Sequence, residues 1–167
     1  MKKLLALVSL FILVGCSNKE VKYDGSLLNI AVIGDVPELN QENIRFEAVT
    51  LDLLRKDAEH ISSEFDTVMI TPVMFEEASD DSMVDVYKNL EMPIIFFNSE
   101  KRHFPFTRTG ATYKTAHWDS LNDGSHTTIY LYNNNQDRED AWYFFLEDEK
   151  KIDGHYKDIF EKVESIQ

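Results

Sequence analysis

The chain has 167 residues, of which 17 are basic and 30 are acidic, so its formal net charge at pH 7 is −13. This length suits one domain with a single hydrophobic core. An acidic surface repels phosphate backbones, and no basic patch with interleaved aromatic residues stands out, so nucleic acid is not an expected partner.

The chain begins with a short apolar run behind two lysines. Lys2 and Lys3 precede residues 4–14, an apolar stretch that only Ser9 interrupts. As a helix this run would span roughly 16 Å, about half of a hydrocarbon core of ~30 Å. We therefore expect a cleaved secretory signal peptide over residues 1–15 and not a membrane-spanning helix.

The only cysteine, Cys16, follows this apolar run directly. The stretch Leu13-Val14-Gly15-Cys16 resembles the lipobox of bacterial lipoproteins. The resemblance implies that the signal is cut before Cys16 and that the cysteine sulfur carries a diacylglyceryl lipid; no other cofactor is expected. It also implies a lipid-anchored position at the cell membrane, on the extracytoplasmic face. The alternative is an ordinary secretory signal that a cysteine follows by chance.

The segment after Cys16 is polar and has few core-forming side chains. This composition predicts a lipidated tether over residues 16–26, ahead of a single domain over residues 27–167. Without the signal the chain would keep 15 basic and 30 acidic residues, a net charge of −15. Anionic lipid would repel such a domain, so we expect the lipid anchor to be its contact with the membrane.

The first part of the domain alternates between apolar runs and helical patterns. Strands are predicted over residues 27–33, 44–49, 65–70 and 92–97, and helical segments over residues 51–56 and 73–90, the second with a break at Asp80-Asp81. This alternation predicts βαβ units and a mainly parallel sheet between two helical layers, a three-layer α/β domain. The whole resembles small flavodoxin-like or Rossmann-like domains.

The periodic signal is lost over residues 99–126. Residues 127–132 then alternate like a strand, three asparagines form a turn, and residues 142–146 predict another strand. Antiparallel strands therefore fit the C-terminal end of the sheet. A helix over residues 154–166 is expected to close the fold, with Tyr156, Ile159, Phe160 and Val163 on its apolar side.

Two short motifs carry a second resemblance. Gly34-Asp35-x-Pro37 follows the first predicted strand, and Pro-Ile-Ile-Phe-Phe forms residues 93–97. Both resemble small uncharacterised lipoproteins of bacilli and their relatives. The resemblance implies an α/β fold and a place in the cell envelope, and it implies no particular activity.

Polar side chains follow the predicted parallel strands at the points where these strands end. In open parallel sheets, ligands bind beyond the carboxyl ends of the strands. We therefore expect Asp35, Asn98 and Arg102 to contact a small polar ligand, with another envelope protein as the alternative partner. The competing interpretation is that Asp35 and Asn98 only terminate strands and bond turn amides.

Residues 103–126 suggest a second candidate function. His103, His117, Asp119 and His126 are of the residue types that bind zinc, and a hydrolase would need three of them about 2.0–2.2 Å from one metal ion. Their spacing matches no motif of fixed geometry, and neither a Gly-x-Ser-x-Gly elbow nor a phosphate-binding loop occurs. The leading interpretation is a membrane-anchored, non-catalytic binding or interaction domain; the alternative is a metal-dependent hydrolase.

Overall fold

A mixed six-stranded sheet forms the centre of the domain, with the strand order β2-β1-β3-β4-β5-β6. The computed structural model describes residues 21–117 and 124–167. The strands are β1 Leu28–Ile33, β2 Ile44–Ala48, β3 Thr67–Ile70, β4 Ile94–Phe96, β5 Thr127–Asn133 and β6 Arg138–Phe144. Strands β1 to β4 are parallel, and β5 is antiparallel to both of its neighbours. The α/β class and the antiparallel C-terminal end are therefore confirmed.

Helices cover the two faces of this sheet unequally. They are α1 Leu51–Lys56, α2 Ala58–Glu64, α3 Phe75–Ala78, α4 Val84–Asn89, α5 Phe104–Thr107 and α6 Ile152–Ser165. Side chains of α1 to α5 belong to the core on one face, and the other core takes its helical side chains from α6. A sheet of six strands spaced ~4.8 Å apart is wider than a single helix with a diameter of about 10 Å. Helix α6 therefore cannot cover its whole face, and aromatic residues such as Phe46 and Trp142 stay half-buried there.

Strand β1 shows why the sequence of a central strand is a continuous apolar run. Ala31 and Ile33 face the core under α1 to α5, while Ile30 and Val32 face the core under α6. All four are at most 1% exposed. A strand that is buried on both faces has no polar side to alternate with, as its sequence predicted.

Some elements differ from the sequence prediction, and for α2 and β6 the reasons are local. Helix α2 was not predicted, because Asp57 ends α1 and at once caps the next helix, where its side chain accepts a hydrogen bond from the His60 N–H. Strand β6 begins four residues earlier than predicted, at Arg138, which pairs with Asn133 across the hairpin. The charged residues at its start hide the alternation of an edge strand.

The packed part of the domain begins before residue 27. Tyr23 is only 4% exposed, and its ring lies edge-on to Phe160 of α6 with the centroids 5.9 Å apart. Its N–H donates to Gln41 Oε1 at 3.1 Å, and the Ser26 N–H donates to Glu164 Oε1 at 2.8 Å. One buried tyrosine in a polar stretch produces no periodic pattern, so the sequence predicted a tether through residue 26.

Among the described residues, no helix has the length and the apolar character that a membrane crossing requires.

Replacement of Tyr23 tests whether this segment belongs to the folded domain. Tyr23→Ala should lower the free energy of unfolding by about 3 kcal/mol, because a fully packed ring is lost. Tyr23→Phe should cost only about 1 kcal/mol, because it keeps the ring and removes only the contacts of the hydroxyl group with the Ser26 carbonyl and the Glu164 carboxylate. Urea unfolding measures both. An alanine variant as stable as the wild type would mean that residues 21–26 do not contribute to the fold.

Candidate functional site

The carboxyl ends of β1, β3 and β4 lie at one edge of the sheet, which we call the strand-end edge. Because β5 is antiparallel to β4, its first residue, Thr127, lies at this same edge, opposite Phe144 at the end of β6. Helix α6 begins close by, since His155 in its first turns contacts Thr127. Residues from four distant parts of the sequence therefore meet at the strand-end edge.

Asp35 lies in the turn that follows β1 and is exposed. Its N–H donates to Thr71 Oγ1 at 2.8 Å. Gly34 beside it has a φ of 109°, and a Cβ at this position would lie 2.3 Å from the same Thr71 oxygen. The turn therefore requires glycine, and the Asp35 backbone holds the ends of β1 and β3 together.

Asn98 and Arg102 lie in the loop that leaves β4, the 97–103 loop. Both have a φ of 57°, in the left-handed region that residues other than glycine rarely adopt. The Ser99 hydroxyl donates to the Arg102 carbonyl at 2.9 Å, and the Arg102 guanidinium lies 4.5 Å from the centroid of the Tyr143 ring. Backbone strain of this kind is concentrated at functional sites and is held by surrounding contacts.

The three predicted ligand contacts lie at different parts of the strand-end edge. Arg102 reaches Tyr143 on β6, which is four strand positions from β1. At ~4.8 Å per strand this separates β6 from the strand before Asp35 by about 19 Å. Asn98 lies between them, beyond β4. One small ligand is too short to reach both Asp35 and Arg102, and contact of any of the three with a ligand stays a prediction.

His103 is buried on the face of the sheet that α1 to α5 cover. Only 3% of it is exposed, and its ring stacks on Tyr130 with the centroids 5.3 Å apart. Its Nδ1 lies 3.4 Å from the Tyr143 hydroxyl. Burial, together with the positive charges of Arg108 and Arg102, lowers the pKa of His103 from 6.5 to about 4. The ring is therefore neutral at pH 7.

A pair of histidines lies on the α6 face and shares one hydroxyl group. His126 Nδ1 is 2.9 Å from Thr127 Oγ1, and His155 Nε2 is 3.1 Å from the same oxygen. The two rings meet edge to face, with their centroids 4.7 Å apart. The Asn98 N–H also donates to this oxygen, at 3.4 Å. The Thr127 hydroxyl thus joins the 97–103 loop, β5 and α6.

The contacts of this pair predict the tautomers of the two rings. The Phe145 backbone raises the pKa of His155, so we expect its carbonyl to accept a hydrogen bond from the ring. Because Nε2 faces Thr127, this bond requires a proton on Nδ1, and Nε2 then accepts from the Thr127 hydroxyl. The hydroxyl oxygen in turn accepts from His126 Nδ1–H. The hydrogen bonds therefore run in one direction, from His126 through Thr127 and His155 to the Phe145 carbonyl.

Burial keeps both of these rings neutral near pH 7. Burial and, to a smaller degree, the nearby His126 lower the pKa of His155 to about 4. Burial also lowers the pKa of His126, while Glu149 and Glu100 act in the opposite direction. A second proton on so close a pair is opposed by the charge of the first.

The predicted metal ligands are not gathered at one point. His103 contacts Tyr130 on one face of the sheet, whereas His126 contacts Phe97 on the other. His117 is exposed, and Asp119 lies outside the described residues, as Cys16 does. Within residues 21–117 and 124–167, no group of three or more His, Cys, Asp or Glu side chains is placed to hold a metal ion.

A groove of about 710 Å³ lies at the strand-end edge beside His155. We call it the His155 groove, and its lining includes Val21, Phe145, Leu146, Lys150, Gly154 and His155. Its volume lies within the range of about 300–1,000 Å³ that is usual for ligand pockets. Two apolar side chains at its rim are unusually exposed, Phe145 at 56% and Val21 at 48%. Asp35, Asn98 and Arg102 do not line it.

Sequence reasoning missed Thr127, His155 and the residues of the groove. The signal for His155 was present, because it precedes Ile159 and Val163 at helical spacing and so lies on the buried side of α6. Phe145 and Leu146 of the groove were predicted as the end of a strand. Comparison of the chain with models of protein families, with curated proteins and with solved structures found no match.

The buried histidines make the stability of the domain depend on pH. In the unfolded chain a histidine binds its proton near pH 6.5, whereas folded His155 does so near pH 4. The contribution of neutral His155 is therefore complete above pH 6.5 and is lost as the pH falls toward 4. Between pH 7 and 4.5 the wild type should lose about 2 kcal/mol more stability than His155→Gln.

Urea unfolding at the two pH values measures this difference. His60→Gln, which replaces an exposed histidine on α2, is the matched control and should keep the pH dependence of the wild type. An equal loss of stability in the wild type and His155→Gln would contradict the assignment of His155 as a buried neutral ring.

Proposed function

We propose that the protein is an exported lipoprotein, held at the extracytoplasmic face of the cell membrane by a diacylglyceryl group on Cys16. Its α/β domain binds a ligand and performs no catalysis. The lipobox resemblance supports the anchor. The order β2-β1-β3-β4 agrees with the start of a flavodoxin-like sheet, so we propose a relative of that fold in which antiparallel strands complete the sheet.

The ligand site in this proposal is the His155 groove. The observation that carries it is the groove itself: it holds about 710 Å³ beside the ring of His155, between the end of β6 and the start of α6. Phe145 offers an apolar surface, Lys150 a positive charge and Asp153 a negative one, while His155 lies in its wall. These groups suit a small polar ligand with an apolar part. An envelope protein that docks on the same groove is the alternative partner.

Asn98 takes part in this site through its backbone. Its N–H donates to the Thr127 hydroxyl, which in turn orients His155. Asp35 and Arg102 lie away from the groove and serve the turns at the ends of β1 and β4. The hydrolase alternative lacks comparable support, because His103 and His126 lie on opposite faces of the sheet.

A variant that fills the groove tests the ligand site. Gly154 lies in the first turn of α6, and a Cβ there would meet only Val21 Cγ1, at 3.8 Å. Native mass spectrometry of the full lipoprotein, recovered from the envelope of its host, should show an added non-covalent mass. Gly154→Leu should lose this mass, because its side chain occupies the groove.

Gly154→Ala is the matched control. It leaves most of the groove open, so the added mass should remain. It should also raise the free energy of unfolding by about 0.5–1 kcal/mol, because alanine restricts the unfolded chain more than glycine does. A bare wild-type chain, or equal ligand in wild type and Gly154→Leu, would overturn the groove as the ligand site.

The anchor has its own test. Cys16→Ser removes the only thiol that can carry the lipid. The variant should move almost completely from the membrane to the soluble fraction, because no acyl chains remain to hold it. Fractionation followed by immunoblotting measures the shift, with Ser17→Ala as the control that stays on the membrane. A Cys16→Ser protein that stays with the membrane would contradict lipid anchoring.

A further inference from the structure

The N-terminal segment leaves the folded domain at the rim of the His155 groove. Tyr23 is fixed by Phe160 and Gln41, and two residues before it Val21 lines the groove. The nearest side chain to the open position above Gly154 is that of Val21, at 3.8 Å. The path of the chain toward Cys16 therefore starts at this rim.

The distance from this rim to Cys16 is short compared with the size of the domain. Four residues lie between Cys16 and Val21, and the five steps along the chain from one to the other span at most about 18 Å when fully extended. A domain of this length is roughly 40 Å across, from a radius of gyration of about 15 Å. If Cys16 carries the lipid, the groove rim must lie on the side of the domain that faces the bilayer.

The side chains at the rim match the chemistry of a lipid headgroup layer. Phe145 and Val21 are apolar and about half exposed, at 56% and 48%. Lys150 lines the same groove and is exposed. Aromatic and apolar side chains that enter the interface, beside a lysine that reaches lipid phosphates, are typical of peptides and domains that lie on a membrane.

The charge of the whole domain limits which lipids fit this surface. The chain without its signal has a net charge of −15, and Glu147, Asp153 and Asp158 also line the groove. Lys151 is held by Glu147, with 2.8 Å between the amine nitrogen and the carboxylate oxygen. Attraction to strongly anionic membranes is therefore not expected. Zwitterionic headgroups offer phosphate to Lys150 and an apolar layer to Phe145 without this repulsion.

We infer that the rim formed by Val21, Phe145 and Lys150 rests on the zwitterionic headgroups of the membrane that carries the anchor. This inference rests on the lipid anchor of the proposed function and not on the ligand. The contact can be weak, because an anchored domain meets the bilayer at a high effective concentration. The expectation that the lipid alone contacts the membrane came from net charge, which averages over the whole surface.

A fluorescent probe at the rim tests this orientation. Cys16 is the only cysteine, and its sulfur carries the lipid in the proposed lipoprotein, so one introduced cysteine can be labelled selectively. The full lipoprotein carrying Phe145→Cys is labelled and reconstituted in phosphatidylcholine vesicles with spin-labelled lipid. Asn135→Cys is the matched control, because it lies in the exposed β5–β6 hairpin at the opposite end of β6.

The probe at residue 145 should be quenched at least threefold more strongly than the probe at residue 135. Equal quenching, or stronger quenching at residue 135, would overturn the inference. The mass of the reconstituted protein separates the two proposals. A chain without the diacylglyceryl group contradicts the anchor, whereas a lipidated chain with equal quenching contradicts only the membrane-facing rim.

A second measurement uses no fluorescent probe, so the probe itself cannot drive insertion of the rim into the membrane. Lys150 of the unlabelled lipoprotein in vesicles should be acetylated several-fold more slowly than Lys150 of soluble Cys16→Ser. Lys56, exposed on α1 under the other face of the sheet, should react equally in both. Unchanged acetylation of Lys150 would overturn the membrane contact.

Discussion

The hydroxyl group of Thr127 is the contact on which the strand-end edge depends. It is fully buried and bonds to His126, His155 and the backbone of Asn98. These partners belong to three parts of the fold: the start of β5, helix α6 and the 97–103 loop. A buried hydroxyl that lost them would be left unsatisfied, which costs more than one hydrogen bond contributes. The side chain therefore sets the position of α6 relative to the sheet end, and with it the wall of the His155 groove.

The reversed direction of β5 makes this arrangement possible. In an all-parallel sheet the first residue of every strand lies at the end opposite the strand-end edge. Here Thr127, the first residue of β5, lies at the strand-end edge, beside the end of β6. The same reversal brings Phe145 to the beginning of α6, so the groove and the exit of the N-terminal segment share one side of the domain. In this account a single change of strand direction links the ligand site to the membrane-facing surface.

Much of the fold could be predicted from the sequence, and less of the site. The apolar run of β1 and the first helix, Leu51–Lys56, follow from local pattern. Tyr23 did not stand out, because it is a single polar-aromatic residue whose burial depends on a distant partner. The helical spacing of His155 to Ile159 and Val163 predicts that it is buried but does not show that it meets Thr127. Asp35, Asn98 and Arg102 lie near strand ends, as the sequence predicts. The sequence does not give the distance between strands β1 and β6, so it does not show that Asp35 and Arg102 lie apart. The contact between the start of α6 and the strand-end edge could be recognised only from the structure, which places β5 and α6 together.

The most direct test of this account is the protonation of the two imidazole rings. Long-range ¹H–¹⁵N NMR of the full lipoprotein at pH 7 distinguishes a protonated Nδ1 from a protonated Nε2. The hydrogen bonds from His126 through Thr127 and His155 to the Phe145 carbonyl predict a protonated Nδ1 and a bare Nε2 on both rings. A proton on Nε2 of His155 at pH 7 would contradict the account, because the Thr127 hydroxyl could then not donate to it.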